Sequence, residues 1–168
     1  MRDFVNLTPE NLETEHLCCI IRTKTKHPGV EAKREWLSAR LREGHVFRKL
    51  DVKGTVFVEY APLEKAWVPV VGENYLYLYC LWVLGEHRGK GYAKALLEYA
   101  IRDAKAKRKS GICMLGAKNR KRGCRISPLR RNLALCLWIP QKVAMNCWHC
   151  LLTERIRVLR SGRKRSAL

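Results

Sequence analysis

Residues 85–97 read GEHRGKGYAKALL and follow directly on the apolar run YLYLYCLWVL. A loop with glycines at 89 and 91 and cations at 88 and 90, leaving a strand and entering a helix, has the composition of a phosphate site. Glycines let backbone N–H groups approach oxygen atoms closely, the helix N-terminus carries partial positive charge, and Arg88 and Lys90 add mobile cations. Spacing excludes two nucleotide motifs. A Walker loop needs four residues between Gly and Gly-Lys and then a hydroxyl residue; here three residues follow Gly85, and Gly91 stands where Ser or Thr belongs. A dinucleotide fingerprint needs a third glycine three residues after Gly91, where Lys94 sits, and a strand that opens a βαβ unit. What remains suits a pyrophosphate.

The elements that must hold this loop follow from periodicity. FVNL (Phe4 to Leu7) reads as a strand, and Thr8 with Pro9 reads as the start of a helix over ENLETEHLCCII. A second helix is expected over VEAKREWLSARLREG, where Val30, Lys33, Trp36, Leu37, Arg40 and Leu41 form a stripe whose basic stems snorkel and Gly44 is the stop. HVFRKLDVKGTVFVEYAP alternates around Lys53-Gly54 as a hairpin does, and KAWVPVVG continues an antiparallel meander. YLYLYCLWVL, apolar on both faces, reads as a central strand. From Tyr92 the apolar period becomes helical, through Ala93, Leu96, Leu97, Ala100, Ile101 and Ala104, and ICML offers a buried strand beyond it. The expected order is β-α-α-β-β-β-α-β.

Length and composition set further bounds. The chain of 168 residues suits one compact domain. No apolar run approaches the roughly 20 residues that span a bilayer, and the opening MRDFVNLTPENLE carries acids, so a cytoplasmic protein is expected. The eight cysteines follow no framework spacing and read as reduced thiols. His16, Cys18, Cys19 and Cys80 read as core residues rather than a nucleophilic set. The net charge of +19 is unevenly spread: residues 1–118 carry 21 basic and 14 acidic side chains, residues 119–168 carry 13 and one.

With those elements in place, Glu86-His87-Arg88-Gly89-Lys90-Gly91 resembles the Arg/Gln-x-x-Gly-x-Gly/Ala signature of the GCN5-related N-acetyltransferase (GNAT) superfamily. FVNLTPENLETEHLCCI and CLWVLGEHRGKGYAKALLEYAIRDAKAK are similar to a bacterial branch of it. The resemblance covers residues 1–118 and implies an α+β fold, a mostly antiparallel central sheet flanked by helices, with a divergent or disordered C-terminus. It implies acetyl-CoA as donor and a small-molecule or protein amine as acceptor. Main-chain groups of Leu81, Trp82 and Val83 would hold the pantetheine arm, and the loop from Arg88 through Gly89, Lys90, Gly91 and Tyr92 to Ala93 the pyrophosphate. For proton transfer the candidates are Glu59 and Glu73, on or beside strands that face the expected acceptor groove, and Tyr79. Tyr75, Tyr77 and Tyr79 share a strand face at period two and are expected to pack there.

Residues 119–168 depart from the family and form a divergent basic tail: no Phe, Tyr or Asp occurs, and Arg outnumbers Lys ten to three. A shifted reading frame gives such a composition, and a frameshifted or divergent C-terminus is the leading reading. A zinc site drawing on Cys124, Cys136, Cys147, His149 and Cys150 has irregular spacing, and a redox pair in CWHC lacks a βαβ context. A basic arm that binds RNA or DNA is the alternative function. Without the family's closing strands, the ICML strand would present an apolar edge. Glu86 stands where Gln or Arg is usual, which places a carboxylate beside the diphosphate. Glu86→Gln is therefore expected to tighten acetyl-CoA binding by roughly 0.5 to 1 kcal/mol, the size of one exposed like-charge contact. Calorimetric titration of both proteins checks this, and weaker binding by the variant would refute it.

Overall fold

A computed structural model describes residues 3–17, 28–52, 56–117, 132–138 and 156–158. Its elements in chain order are β1 (Phe4–Asn6), α1 (Pro28–Leu41), β2 (Val46–Leu50), β3 (Val56–Pro62), β4 (Val70–Gly72), β5 (Tyr75–Val83), α2 (Tyr92–Ala106), β6 (Gly111–Ala117), β7 (Asn132–Trp138) and β8 (Ile156–Val158). Six strands form one sheet in the order β1-β2-β3-β5-β6-β7, while β4 pairs with β8 in a second, two-stranded sheet. All main-sheet neighbours are antiparallel except β5 and β6, which α2 joins by a crossover. The fold is the expected α+β arrangement.

The helices lie on opposite faces. Leu96, Ala100 and Ala104 of α2, spaced four apart, are fully buried against Val56, Val58, Tyr60, Leu76 and Leu78. Leu37 of α1, with Trp36 and Leu41 beside it, packs with Phe47, Phe57, Cys80 and Trp82 on the other face. α1 begins at Pro28, which needs no N–H there, and stops before Gly44, whose φ of +89° makes the left-handed turn that returns the chain to β2. Polar locks tie α2 to the sheet: the Tyr60 hydroxyl donates to Asp103 at 2.9 Å, and Asn6 Nδ2 donates to the Tyr99 hydroxyl at 3.0 Å.

Three expectations are corrected. Residues 9–15 make turns, not the first helix. Asn11 Oδ1 accepts the Thr8 amide and Asn11 Nδ2 donates to the Asn6 carbonyl, so this side chain holds the backbone that a helix would have needed. His16 and Leu17 are not helical either; the remainder of that expected helix, with Cys18 and Cys19, lies outside the described residues, as does Lys53-Gly54 between β2 and β3. β4 does not extend the meander: β3 pairs directly with β5, because a short 3₁₀ turn at Leu63–Lys65 carries the chain away from the sheet. Lastly, the edge of β6 away from β5 is not bare. β7 pairs with it from Gly111↔Trp138 to Ala117↔Asn132. Apart from β7 and β8, the basic tail, with Cys124 and Cys147 to Cys150, lies outside the described residues.

Leu96 has no exposed surface and faces β3, β5 and β6 together. Leu96→Ala is expected to destabilise the fold by about 2 to 5 kcal/mol through lost burial and a cavity beneath the loop. Urea unfolding measures it; a loss under about 1 kcal/mol would show that this layer repacks.

Candidate active site

β5 carries one residue too many. Its register with β3 passes from Tyr60↔Leu78 to Glu59↔Cys80, leaving Tyr79 as a bulge. The alternation of faces therefore breaks there. Leu76, Leu78, Leu81 and Val83 all pack on the α2 side, whereas Tyr75, Tyr77, Tyr79, Cys80 and Trp82 belong to the opposite face. On its other edge β5 pairs with β6 only from Tyr75 to Tyr77, while β6 continues alongside β7 to Ala117. Leu81, Trp82 and Val83 lie past the last β5–β6 pair, so among the described residues their backbone on that edge has no strand partner.

The chain leaves β5 through a 3₁₀ turn at Gly85–His87, closed by the His87 amide on the Leu84 carbonyl at 2.9 Å and the Arg88 amide on the Gly85 carbonyl at 3.0 Å. Gly89 (φ +74°) and Gly91 (φ +80°) are both left-handed, and a Cβ at either would enter open space. Gly91 is the N-cap of α2, its carbonyl accepting from the Ala95 amide at 3.0 Å. Among the described residues, no backbone carbonyl accepts from the amides of Gly89, Lys90, Gly91, Tyr92 or Ala93. Arg88 is the exception in the expected set: its amide closes the turn, and its guanidinium Nε reaches the Val83 carbonyl at 3.5 Å. Glu86 is exposed and lies 3.2 Å from His87 Nε2, while His87 itself is buried.

Beside the bulge a cavity of about 560 Å³ is lined by Ala32, Lys33, Trp36, Phe57, Glu59, Tyr79 and Cys80. Glu59, only 3% exposed, is held by two partners: Lys33 Nζ donates to one carboxylate oxygen at 2.6 Å, and His45 Nε2 lies 3.1 Å from the other. Burial pushes the Glu59 carboxyl up, but the His45 hydrogen bond and the charge and hydrogen bond of Lys33 outweigh it, leaving the carboxyl below the ordinary range. The Tyr79 hydroxyl accepts the Trp67 amide at 3.1 Å, and its ring lies 5.2 Å from that of His45 and 6.2 Å from that of Trp36. Burial, reinforced by the Glu59 charge, raises the Tyr79 hydroxyl above its ordinary value despite the Trp67 hydrogen bond and Arg40, so it stays protonated at neutral pH.

Glu59 and Tyr79 are thus brought together, with the Leu81–Val83 edge beginning two residues beyond Tyr79. Glu73 is not. It sits in an exposed bend before β5, at the far end of the strand from the loop. Tyr75 and Tyr77 are buried with Leu63, Val70 and Cys113 and pack as expected.

Residues 11–122 match the acetyltransferase (GNAT) family model. The chain belongs to the GNAT family. It is 41% identical over 117 residues to the N-acetyltransferase YoaP of Bacillus subtilis, a match covering 70% of this chain and 47% of that protein. The chain therefore spans about half the length of the curated relative it matches. Two solved structures share the GNAT fold at 12% identity. One is an Agrobacterium tumefaciens protein assigned as an acetyltransferase, with a TM-score of 0.51 over 77% of this chain and 99% of that one. The other is a Clostridium acetobutylicum protein assigned as an acetyltransferase and crystallised with acetyl-CoA, with a TM-score of 0.50 over 70% and 82%.

Two residues of this GNAT chain were absent from the sequence expectations as site groups. Lys33 was read as a snorkelling stem; a cation on the apolar stripe of α1 was the available signal for a buried anion opposite. His45 carried no signal, because only the pairing of β2 with β3 brings it to Glu59. Glu59 also ties stability to pH. Its folded value lies below the ordinary 4.5, so its contribution is complete above 4.5 and is lost as pH falls through the folded value. Glu59→Gln is expected to flatten that acid limb of a plot of unfolding free energy against pH. An unchanged slope below pH 4.5 would show that Glu59 is not the group responsible.

Proposed function

We propose that this chain is an N-acetyltransferase that binds acetyl-CoA along β5 and the Gly89–Gly91 loop and passes its acetyl group to an amine in the Glu59 cavity. The carrying observation is one continuous path: a parted strand edge at Leu81–Val83, a glycine turn with five amides that no backbone carbonyl of the described residues engages, and a helix N-terminus. This path suits a donor with an amide-bearing arm and a diphosphate. The arm's amides add to the strand edge as another strand would, and the diphosphate takes the amides of Gly89 to Ala93, with Lys90 and Arg88 as flanking cations. The open space beside both glycines is room that a side chain would otherwise fill.

The reaction is attack by a neutral amine on the thioester carbonyl, so the site must take a proton from an ammonium and give one to a thiolate. The cavity holds one group for each task. Glu59 is ionised and accepts hydrogen bonds, which draws a cationic amine against the aromatic wall of Trp36, Phe57 and Tyr79. Tyr79 keeps its proton at neutral pH and is the donor for the departing sulfur. The bulge places both beside the start of the open edge, where the thioester end of the arm would arrive. The small-molecule or protein amine that serves as acceptor is of this cationic class.

The decisive experiment concerns the loop. Gly89→Asp and Gly91→Asp each add a side chain and a negative charge to a left-handed position beside the diphosphate, and each is expected to weaken acetyl-CoA binding at least tenfold. Thermal-shift titration with acetyl-CoA measures this, with the unliganded melting temperatures as a control for folding. Unchanged affinity in both variants would place the donor elsewhere. Salt-sensitive RNA or DNA binding with no response to acetyl-CoA would instead favour the basic-arm function.

A further inference from the structure

The Lys33–Glu59 pair has the geometry that the proposed reaction requires of its substrate. An amine is held 2.6 Å from an ionised carboxylate, in a cavity whose opposite wall is the β5 bulge. Among the described residues, Lys33 is the one lysine lining that cavity. Lys49 also forms a buried ion pair, with Glu15 at 2.5 Å, but it does not line the cavity. Lys94, Lys107 and Lys109 make their pairs with Glu98, Asp103 and Glu64 at other sites on the chain. The Lys33 side chain is 27% exposed and its ammonium sits 5.5 Å over the Phe47 ring, so the amine is sheltered yet not sealed.

We propose that Lys33 is a self-modification site: the chain transfers the acetyl group of its bound thioester to Lys33 Nζ. This rests on the reading of the site as one for acetyl-CoA. In the step, the ammonium gives one proton to Glu59, from which it passes to solvent. The neutral nitrogen attacks the thioester carbonyl carbon, the C–N bond forms and the C–S bond breaks. The remaining excess proton on nitrogen goes to the leaving sulfur, giving acetyl-lysine and a free thiol. Tethering supplies the rate: a lysine fixed on α1 beside the reacting carbon needs no encounter in solution.

The modification would change the site that performs it. An acetylated Lys33 is neutral and bulkier and no longer offers Glu59 a cation. Glu59 then keeps His45 as its partner, and burial weighs more heavily, moving the carboxyl upward toward values at which it is a stronger base. An incoming cationic acceptor would also meet no competing ammonium at Glu59. Lys33 thus occupies the acceptor position until it is acetylated, and the first turnover on the chain clears the site for the next amine.

The test uses the full chain with isotope-labelled acetyl-CoA and no added amine, with acetylation at Lys33 and at exposed Lys94 followed by peptide mass spectrometry. Acetyl-CoA binding is measured in the same samples by thermal shift. Lys33 is expected to label about tenfold or more faster than Lys94, at a rate per molecule unchanged by dilution of the protein, and only in the folded chain. Glu59→Gln should slow labelling of Lys33 without affecting Lys94. Lys33→Arg, which keeps a cation for Glu59, should retain the melting temperature and leave that peptide unlabelled. Donor binding with Lys33 labelled no faster than Lys94, or a rate that climbs with protein concentration, would overturn self-modification while the donor assignment stands. Neither binding nor label would overturn both.

Discussion

The single extra residue in β5 is the feature on which the site depends. A regular strand of nine residues would keep its side chains in phase and its backbone paired on both edges. Because Tyr79 has no partner on β3, the strand bends and its facing pattern shifts, so Tyr79 and Cys80 both belong to the α1 side. The same irregularity lies just beyond the last pair with β6. Backbone groups that a flat sheet would consume are left without a strand partner among the described residues, close to where Glu59 and Tyr79 line the cavity. The sheet remains well packed elsewhere because the phase shift still delivers Leu81 and Val83 to the core beneath α2.

A buried carboxylate is the second constraint. Taking Glu59 out of water without compensation would cost several kcal/mol, and a lone carboxyl there would become protonated. Lys33 from α1 and His45 from the approach to β2 prevent that, each at one oxygen. The ion pair thereby links the helix to the middle of the sheet and fixes the orientation of the carboxylate toward the cavity. Such a pair contributes little net stability, since desolvation offsets attraction. Its value lies in holding an ionised group in an apolar, aromatic setting, where it interacts strongly with any cation that enters.

The loop is supported from below in the same manner. Leu96, Ala100 and Ala104 anchor α2 against the sheet, and its Asp103 and Tyr99 hydrogen-bond to Tyr60 of β3 and Asn6 of β1. The helix N-terminus is therefore rigidly placed at the end of β5. Two left-handed glycines turn the chain between strand and helix, and among the described residues no backbone carbonyl takes the amides from Gly89 to Ala93. Residues with a Cβ would strain both positions, which is why the turn is written with glycine at 89 and 91.

Much of this was legible from residue order. The glycine spacing excluded two nucleotide loops and left the loop between β5 and α2, the helical period after Tyr92 placed α2, and the apolar run before it placed β5. These are local properties, set by backbone freedom and by side-chain period, and a chain carries them without knowing its neighbours. Glu59 and Tyr79 could be named from the sequence as candidates, but nothing local separated Glu59 from Glu73. Only the register of three strands put the first in a sheltered cavity and the second in an exposed bend. The turns at residues 9–15, the departure of β4 from the meander and the cover that β7 gives β6 were decided likewise by competition for hydrogen-bonding partners. The Lys33–Glu59–His45 cluster joins residues 26 and 14 positions apart. No spacing rule links them, because a one-residue bulge or slip changes which side chains meet, and that choice is made by packing across the whole sheet.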